Sequence, residues 1–226
     1  MSPSLAVKSY DKIGIKSGVV LDLPGFEGAG SLIRDASMYH NNGTITGASW
    51  SQLASGLQVL DFDGTDDNII VPDNVAFDVT TLSVELWFKP SRLFKGDLCM
   101  KGTGTLNLDW FLFQDDSGDG VWFSCGSWGG DNFAKHDDFL VIDTWYHIVG
   151  VYDGTNVKLY TNGIWRDDAN APLAPVLTAS DVYIGERYSG TYDFQGSIAL
   201  VRIYNRVLSA LEIQSNFNRE RHLFGV

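Results

Sequence analysis

The feature that most constrains the fold of this chain lies near its end, in GSIALVRIYNRVLSALEIQSNF from Gly196 to Phe217. From Ile198 to Tyr204 the apolar residues occupy both parities of a period-2 pattern. Ile198, Leu200 and Tyr204 fall on one side, and Ala199, Val201 and Ile203 on the other. A strand with two apolar faces has to be covered on both, which predicts a central position in its sheet. A helix-start signature follows at once. Ser209 is the N-cap, Glu212 three residues on closes a capping box, and Leu208 faces Ile213 as a hydrophobic staple, so a short helix is predicted to begin at Ala210. Leu211, Ile213 and Phe217 give that helix a partly apolar face for the sheet edge.

The rest of the chain reads as strands and turns. Leu82 to Lys89 alternates cleanly, with Leu82, Val84, Leu86 and Phe88 toward a core and Ser83, Glu85, Trp87 and Lys89 away from it. Further strands are predicted at Val19–Leu23, 57–62, Asn68–Val71, 97–101, 110–114, 120–125, 145–153, Asn156–Thr161, 164–168 and 181–185. The Asn162-Gly163 dipeptide supplies the two positive-φ residues of a type I′ hairpin turn. The acids point the same way: 23 are Asp, a turn former, and 5 are Glu, a helix former. Residues 19–226 are expected to form one domain preceded by an arm at 1–18, since all-β sandwiches of this length are commonly single domains.

A formal charge of −12 opposes phosphate backbones and anionic lipid, which argues against nucleic-acid and membrane partners. The first residues lack the apolar core of a signal peptide, and no apolar run approaches a membrane span. Cys99 and Cys125 are too few for a disulfide framework. In a meander, the strand carrying Phe111 and Phe113 separates them by about two strand spacings, roughly 9.5 Å, so both are expected as free thiols.

Three stretches carry ligand chemistry. Asp63, Asp66 and Asp67 lie in a dense acidic turn; they are either an ordinary Asp-rich hairpin or a set of oxygen ligands for a structural calcium ion, no cofactor being otherwise required. In GSWGGDNF, Trp128 beside Asp131 and Asn132 is either a pyranose platform or a ring folded back on the core. Tyr188 and Tyr192, on the later loop ERYSGTYDF, are expected to border the same surface, converging with Trp128 from one rim. Trp87 offers a further ring, to a sugar or to a crossing loop. His147 has no second ligand at metal spacing and reads as a packed imidazole. No nucleophile elbow or glucanase pattern of alternating acids occurs, so the chain is expected not to be an enzyme.

The segments "RDASMYHNNGTITG", "LDFDGTDDNIIVP", "WYHIVGVYDGTNVKLYTNG" and G-x-I…VRIYNR…LS…EI resemble, in order, those of laminin-G-like, concanavalin A-like lectin/glucanase jelly rolls. The resemblance implies an all-β, two-sheet antiparallel jelly-roll sandwich with one short C-terminal helix. The tail EIQSNFNRERHLFGV is similar to the ends of such domains in tailed-phage virion proteins. That similarity implies a non-catalytic decoration, fibre or attachment protein on a virion surface, whose partners are other capsid or tail proteins, copies of itself and a host-surface glycan. The alternatives are a stand-alone carbohydrate-binding module and, further off, a glycoside hydrolase. Ala199 departs from the family pattern, in which many relatives carry an acid there.

Overall fold

The computed structural model describes residues 17–103, 108–115, 117–126, 132–171, 174–188, 190 and 192–226; most of the arm expected at 1–18, with Trp128 and Asp131, lies outside them. Two antiparallel sheets pack face to face. The first runs, edge to edge, Ile164–Asn170 (β14), Asn156–Thr161 (β13), Tyr146–Tyr152 (β12), Leu82–Pro90 (β7), Gln195–Tyr204 (β16), Gln58–Asp63 (β5) and Ser49–Gln52 (β4), with Val19–Leu23 (β1) also paired to β16. The second runs Ala134–His136 (β11), Val121–Cys125 (β10), Leu108–Gln114 (β9), Gly96–Gly102 (β8), Val182–Ile184 (β15), Asn68–Val71 (β6), Gly43–Thr46 (β3) and Leu32–Ile33 (β2). Leu82, Val84, Leu86, Phe88, Ile148 and Leu159 from the first sheet meet Leu112, Phe123, Val182 and Ile184 from the second in the shared core. The sheets approach so closely that a Cβ on Gly150 would lie 2.3 Å from the Phe123 ring. Only glycine fits there.

The predicted central strand is central: β7 flanks β16 on one side, while β5 and β1 share the other. Its faces differ from the expectation. Between Ala199, opposite Trp87, and Arg202, opposite Glu85, three steps of β16 span two of β7, and Leu200 adopts a left-handed φ of 51°. This one-residue bulge reverses the parity. Ile198, Val201 and Ile203 therefore enter the core, while Ala199, Leu200 and Tyr204 turn to the outer face.

That outer face is roofed by a helix, Ala210–Phe224 (α1). Ser209 accepts a hydrogen bond from the Glu212 amide and the Glu212 side chain bonds back to the cap, as the capping box requires; Leu208 and Ile213 are both buried. The helix is longer than expected and lies across the face of the sheet. Its buried stripe is Ile213, Asn216, Glu220, Leu223 and Phe224, with Phe217 partly buried beside it, whereas Leu211 is 79% exposed and faces solvent. Each fully buried apolar side chain in that stripe contributes roughly 1.5–3 kcal/mol to docking.

The meander β8–β9–β10 is as expected. Cys99 on β8 and Cys125 on β10 flank β9, and both are buried free thiols.

Candidate ligand-binding surface

Trp87 is not available to a ligand. It points from β7 to the outer face of the first sheet, where α1 buries it completely. Phe224 stacks on its ring at 4.1 Å, Phe217 stacks at 5.7 Å, and its indole N–H donates to Glu220 Oε2 at 2.8 Å. The residue is a pillar for the helix, because the face that alternation reads as polar is a second interior.

That interior is charged. Glu85 lies between His147 Nε2 at 2.7 Å on one oxygen and the Arg202 guanidinium at 3.2 Å and the Tyr204 hydroxyl at 2.6 Å on the other; the Asn216 amide donates to both. Arg202 also reaches Glu220 at 2.7 Å and Asp22 at 3.3 Å. Burial would raise the Glu85 carboxyl, but its hydrogen bonds and the Arg202 charge hold it down at about 2. Glu85, His147 and Glu220 bring ligand atoms within 4.8 Å of one another, yet all three are buried beneath α1. His147 is the packed imidazole expected from sequence.

An aromatic layer covers the outer face of the second sheet. Phe111 and Phe113 of β9 turn away from the core, stacked at 4.9 Å, with Met100 of β8 and, partly exposed, Tyr183 of β15 and Trp122 of β10 beside them. Phe133 folds over this floor, its ring 5.7 Å from Phe111, 6.2 Å from Phe113 and 5.4 Å from Trp122. Its neighbour Asn132 is anchored through its carbonyl, which accepts from Ser124 Oγ at 2.8 Å. From the opposite end of the sheet comes Tyr192, whose carbonyl accepts from the Asp97 amide. Lys95 Nζ lies 4.6 Å from the Tyr192 ring centre and 5.9 Å from that of Phe113.

The described ends of the two loops thus leave from opposite rims, against the single rim expected. The registers show why: Cys125 pairs with Trp110 at one end of β9, and Ile184, pairing with Cys99, leads the other loop toward the Gly96–Gln114 end.

Of the floor, Phe111 and Phe113 are sealed. The open rings are Tyr188 at 38% and Tyr192 at 40% exposure. Two cations lie near Tyr192, the Arg187 guanidinium 4.1 Å from its ring centre in addition to the Lys95 contact, and Arg187 is itself held by a bidentate pair with Asp97 at 2.6 and 3.0 Å. Burial raises the Asp97 carboxyl, against the Arg187 hydrogen bonds. Phe94 adds a half-exposed ring under Arg92, 4.1 Å away. Sequence reasoning missed Phe111, Phe113, Trp122, Lys95 and Arg187. The available signal was the run Trp110-Phe111-Leu112-Phe113, apolar at both parities like β16.

The calcium candidates do come together: carboxylate oxygens of Asp63, Asp66 and Asp67 lie within 4.8 Å of one another in the turn joining β5 to β6. Asp63 and Asp66 are exposed and Asp67 is buried. Burial raises the Asp67 carboxyl, its bond from the Asp63 amide at 2.7 Å lowers it, and the charges of Asp63 and Asp66 raise it further.

A search of the curated proteins finds no match. Among solved structures, the binding domain of Paraclostridial Mosquitocidal Protein 1 superposes with a TM-score of 0.68 at 17% identity, over 90% of this chain and 52% of that one. A Trypanosoma rangeli sialidase in complex with sialic acid gives 0.69 at 18%, over 94% and 34%. The binding domain of Botulinum Neurotoxin DC in complex with SialylT gives 0.67 at 15%, over 90% and 52%. This chain therefore spans a third to a half of those proteins, and at these identities the likeness is one of fold. The family model described as the concanavalin A-like lectin/glucanases superfamily, of laminin G type, matches residues 63–214. That stretch is more than half of the chain and holds both loops over the second sheet: the protein belongs to this superfamily.

Proposed function

We propose that this chain is a non-catalytic glycan-binding module that serves on a phage-type virion surface, as a decoration, fibre or attachment protein. The observation that carries the glycan reading is the pair of exposed tyrosines on the 185–194 loop, of which Tyr192 shares Lys95 with Phe113 and has the Arg187 guanidinium beside it. A sugar ring needs a rigid apolar face with hydrogen-bonding groups at its rim, and Tyr192 with Lys95 and Arg187 offers both. The proteins of similar fold include binding domains, and two were solved with sialic acid or SialylT bound, which supports a ligand of this class. The virion context is supported by the C-terminal sequence similarity. The non-catalytic reading is supported by the acids themselves. Asp61 accepts from Ser197 Oγ at 2.5 Å, Asp63 belongs to the acidic turn, and Glu85 and Glu220 lie sealed under α1, out of a substrate's reach.

The test is a glycan array read with wild type, Tyr192→Ala and Trp128→Ala, beside their melting curves. Binding should fall by on the order of tenfold or more, ~1.4 kcal/mol, for Tyr192→Ala, with the midpoint unchanged. An array with no ligand refutes the glycan role; release of reducing sugar abolished by Asp61→Asn refutes the non-catalytic one. Normal particle assembly and host adsorption without this chain refute the virion role.

A further inference from the structure

The loop that carries Tyr188 and Tyr192 is closed at its stems by backbone bonds, from the Phe194 amide to the Gly185 carbonyl at 2.8 Å and from the Gly185 amide to the Leu98 carbonyl at 3.2 Å. Between the stems it is gripped twice by one residue, Asp97 of β8. The Asp97 amide donates to the Tyr192 carbonyl at 2.8 Å, and the Asp97 carboxylate takes the Arg187 guanidinium at two points. Arg187 in turn lies 4.1 Å from the centre of the Tyr192 ring, and its carbonyl accepts from the Gly190 amide at 2.9 Å, which closes the turn between them.

Two features set this grip apart from ordinary architecture. Tyr192 is held at a φ of 61°, a left-handed conformation that a bulky residue keeps only where its surroundings impose it. The carboxylate, for its part, is 1% exposed and set opposite the uncharged Phe113 of β9. The charges that bear on it are Arg187 and Asp193 from the loop and Lys95 from the approach to β8, and even with two cations among them burial leaves its pKa raised. Glu85, equally sealed, is held down by its partners. The charge on Glu85 therefore serves the fold, whereas the charge on Asp97 works against it. What the Asp97 pair does supply is the position of an exposed, strained ring.

We propose that Asp97 is the positioning residue of the ligand surface, its amide and carboxylate together holding the 185–194 loop in the form that presents the Tyr192 ring. A loop ordered before its ligand arrives loses less entropy on binding. This consequence for affinity rests on the proposed glycan surface; the hold on the loop does not.

The test compares the full chain as wild type, Asp97→Asn and Arg187→Met. Asp97→Asn keeps the backbone bond and the side-chain shape and removes the charge, while Arg187→Met removes the other half of the pair from a loop outside the core. Amide hydrogen exchange followed by NMR should quicken roughly tenfold or more at position 97 and at Gly190 in both variants, and stay at wild-type rates at Phe194 and along β9. The double variant should be no looser than the single ones, since all break the same link. The melting midpoint of Asp97→Asn should match or exceed that of wild type at pH 7. A carboxyl raised in the folded state opposes folding above its folded value and ceases to below the ordinary 3.8, so any excess should shrink as pH falls toward 3.8. A residue that only supports the sheet would give the reverse, a lowered midpoint at pH 7 with faster exchange along β8 and β9. That result overturns the proposal, as do unchanged rates at position 97 and Gly190. On the glycan array both variants should lose roughly tenfold or more of the wild-type signal, as Tyr192→Ala should. Full signal from a loosened loop overturns the link to binding alone; an array empty for wild type refutes the glycan reading, and the exchange rates still decide the hold.

Discussion

Every neighbour bonded to Glu85 beneath α1 is a donor, which makes its charge testable apart from its shape. In Glu85→Gln the amide oxygen can still accept from Arg202, Tyr204 and Asn216. The new NH2 can face His147 Nε2, because His147 Nδ1 has no partner and is free to carry the ring's proton. All of these hydrogen bonds but the second one from Asn216, to the oxygen that becomes NH2, survive, and the charge is lost. Glu85→Leu removes both. Holding the carboxyl at about 2, against an ordinary 4.5, opens a gap of about 2.5 pH units at about 1.36 kcal/mol each. The charge therefore contributes ~3 kcal/mol at neutral pH.

Because the folded-state value is depressed, this contribution is complete above about 4.5 and is lost as pH falls toward 2. At pH 7, Glu85→Gln should unfold ~3 kcal/mol more easily than wild type, lowering the midpoint by roughly 6–12 °C for a chain of this size, and the difference should shrink steadily below pH 4.5. Glu85→Leu should cost about 3–5 kcal/mol, since it also strands buried donors, and its deficit should persist in acid. Urea melts followed by tryptophan fluorescence at pH 7 and pH 3 read both. A Glu85→Gln deficit under ~0.5 kcal/mol, or one equal at the two pH values, refutes the reasoning.

Burial raises the pKa of both Cys99 and Cys125; neither should react with a thiol reagent in the native protein, and mass spectrometry should find no change on reduction. Ser209→Ala should cost ~1 kcal/mol through the lost cap, and Leu208→Ala more, ~2–4 kcal/mol, because Leu208 is buried with Ile213 and Tyr204; chemical denaturation ranks the two. At the bulge, Leu200→Gly should destabilise less than Leu200→Ala by ~1 kcal/mol, since both lose the buried side chain but only glycine relieves the left-handed backbone. Equal melting midpoints for that pair would show that the bulge carries no strain.

What could be read from the sequence divides along the range of the forces that carry it. Val19–Leu23, Asn68–Val71 and Asn156–Thr161 were legible to the residue, because alternation and turn chemistry act over a few positions. So was the start of α1, where cap, box and staple all fall within six residues. The short strands β2, β3, β4 and β11 were not, being too brief and too polar to carry a period. The buried stripe of α1 was hidden for another reason: Asn216 and Glu220 look like solvent residues until Glu85, which accepts from the Asn216 amide, and Arg202, which pairs with Glu220, are brought beneath them. Trp87, which alternation left to a sugar or to a crossing cover, is covered, and by that helix.

One local signal nevertheless reports a distant cover. A strand apolar at both parities states that both of its faces are dry, as β16 does with α1 above it and β9 with Phe133 above it. It says nothing about what does the covering, and the two covers differ in consequence. On β16 the cover is a fifteen-residue helix locked by a buried ionic network, so that face is architecture. On β9 it is the single ring of Phe133, packed on Phe111, Phe113 and Trp122 and carried by the residue before β11, with partly exposed Trp122 and Tyr183 beside it. Rings that stay partly open beside a dry face leave aromatic surface for a ligand, and for that reason the second sheet, not the first, is the face to probe for binding.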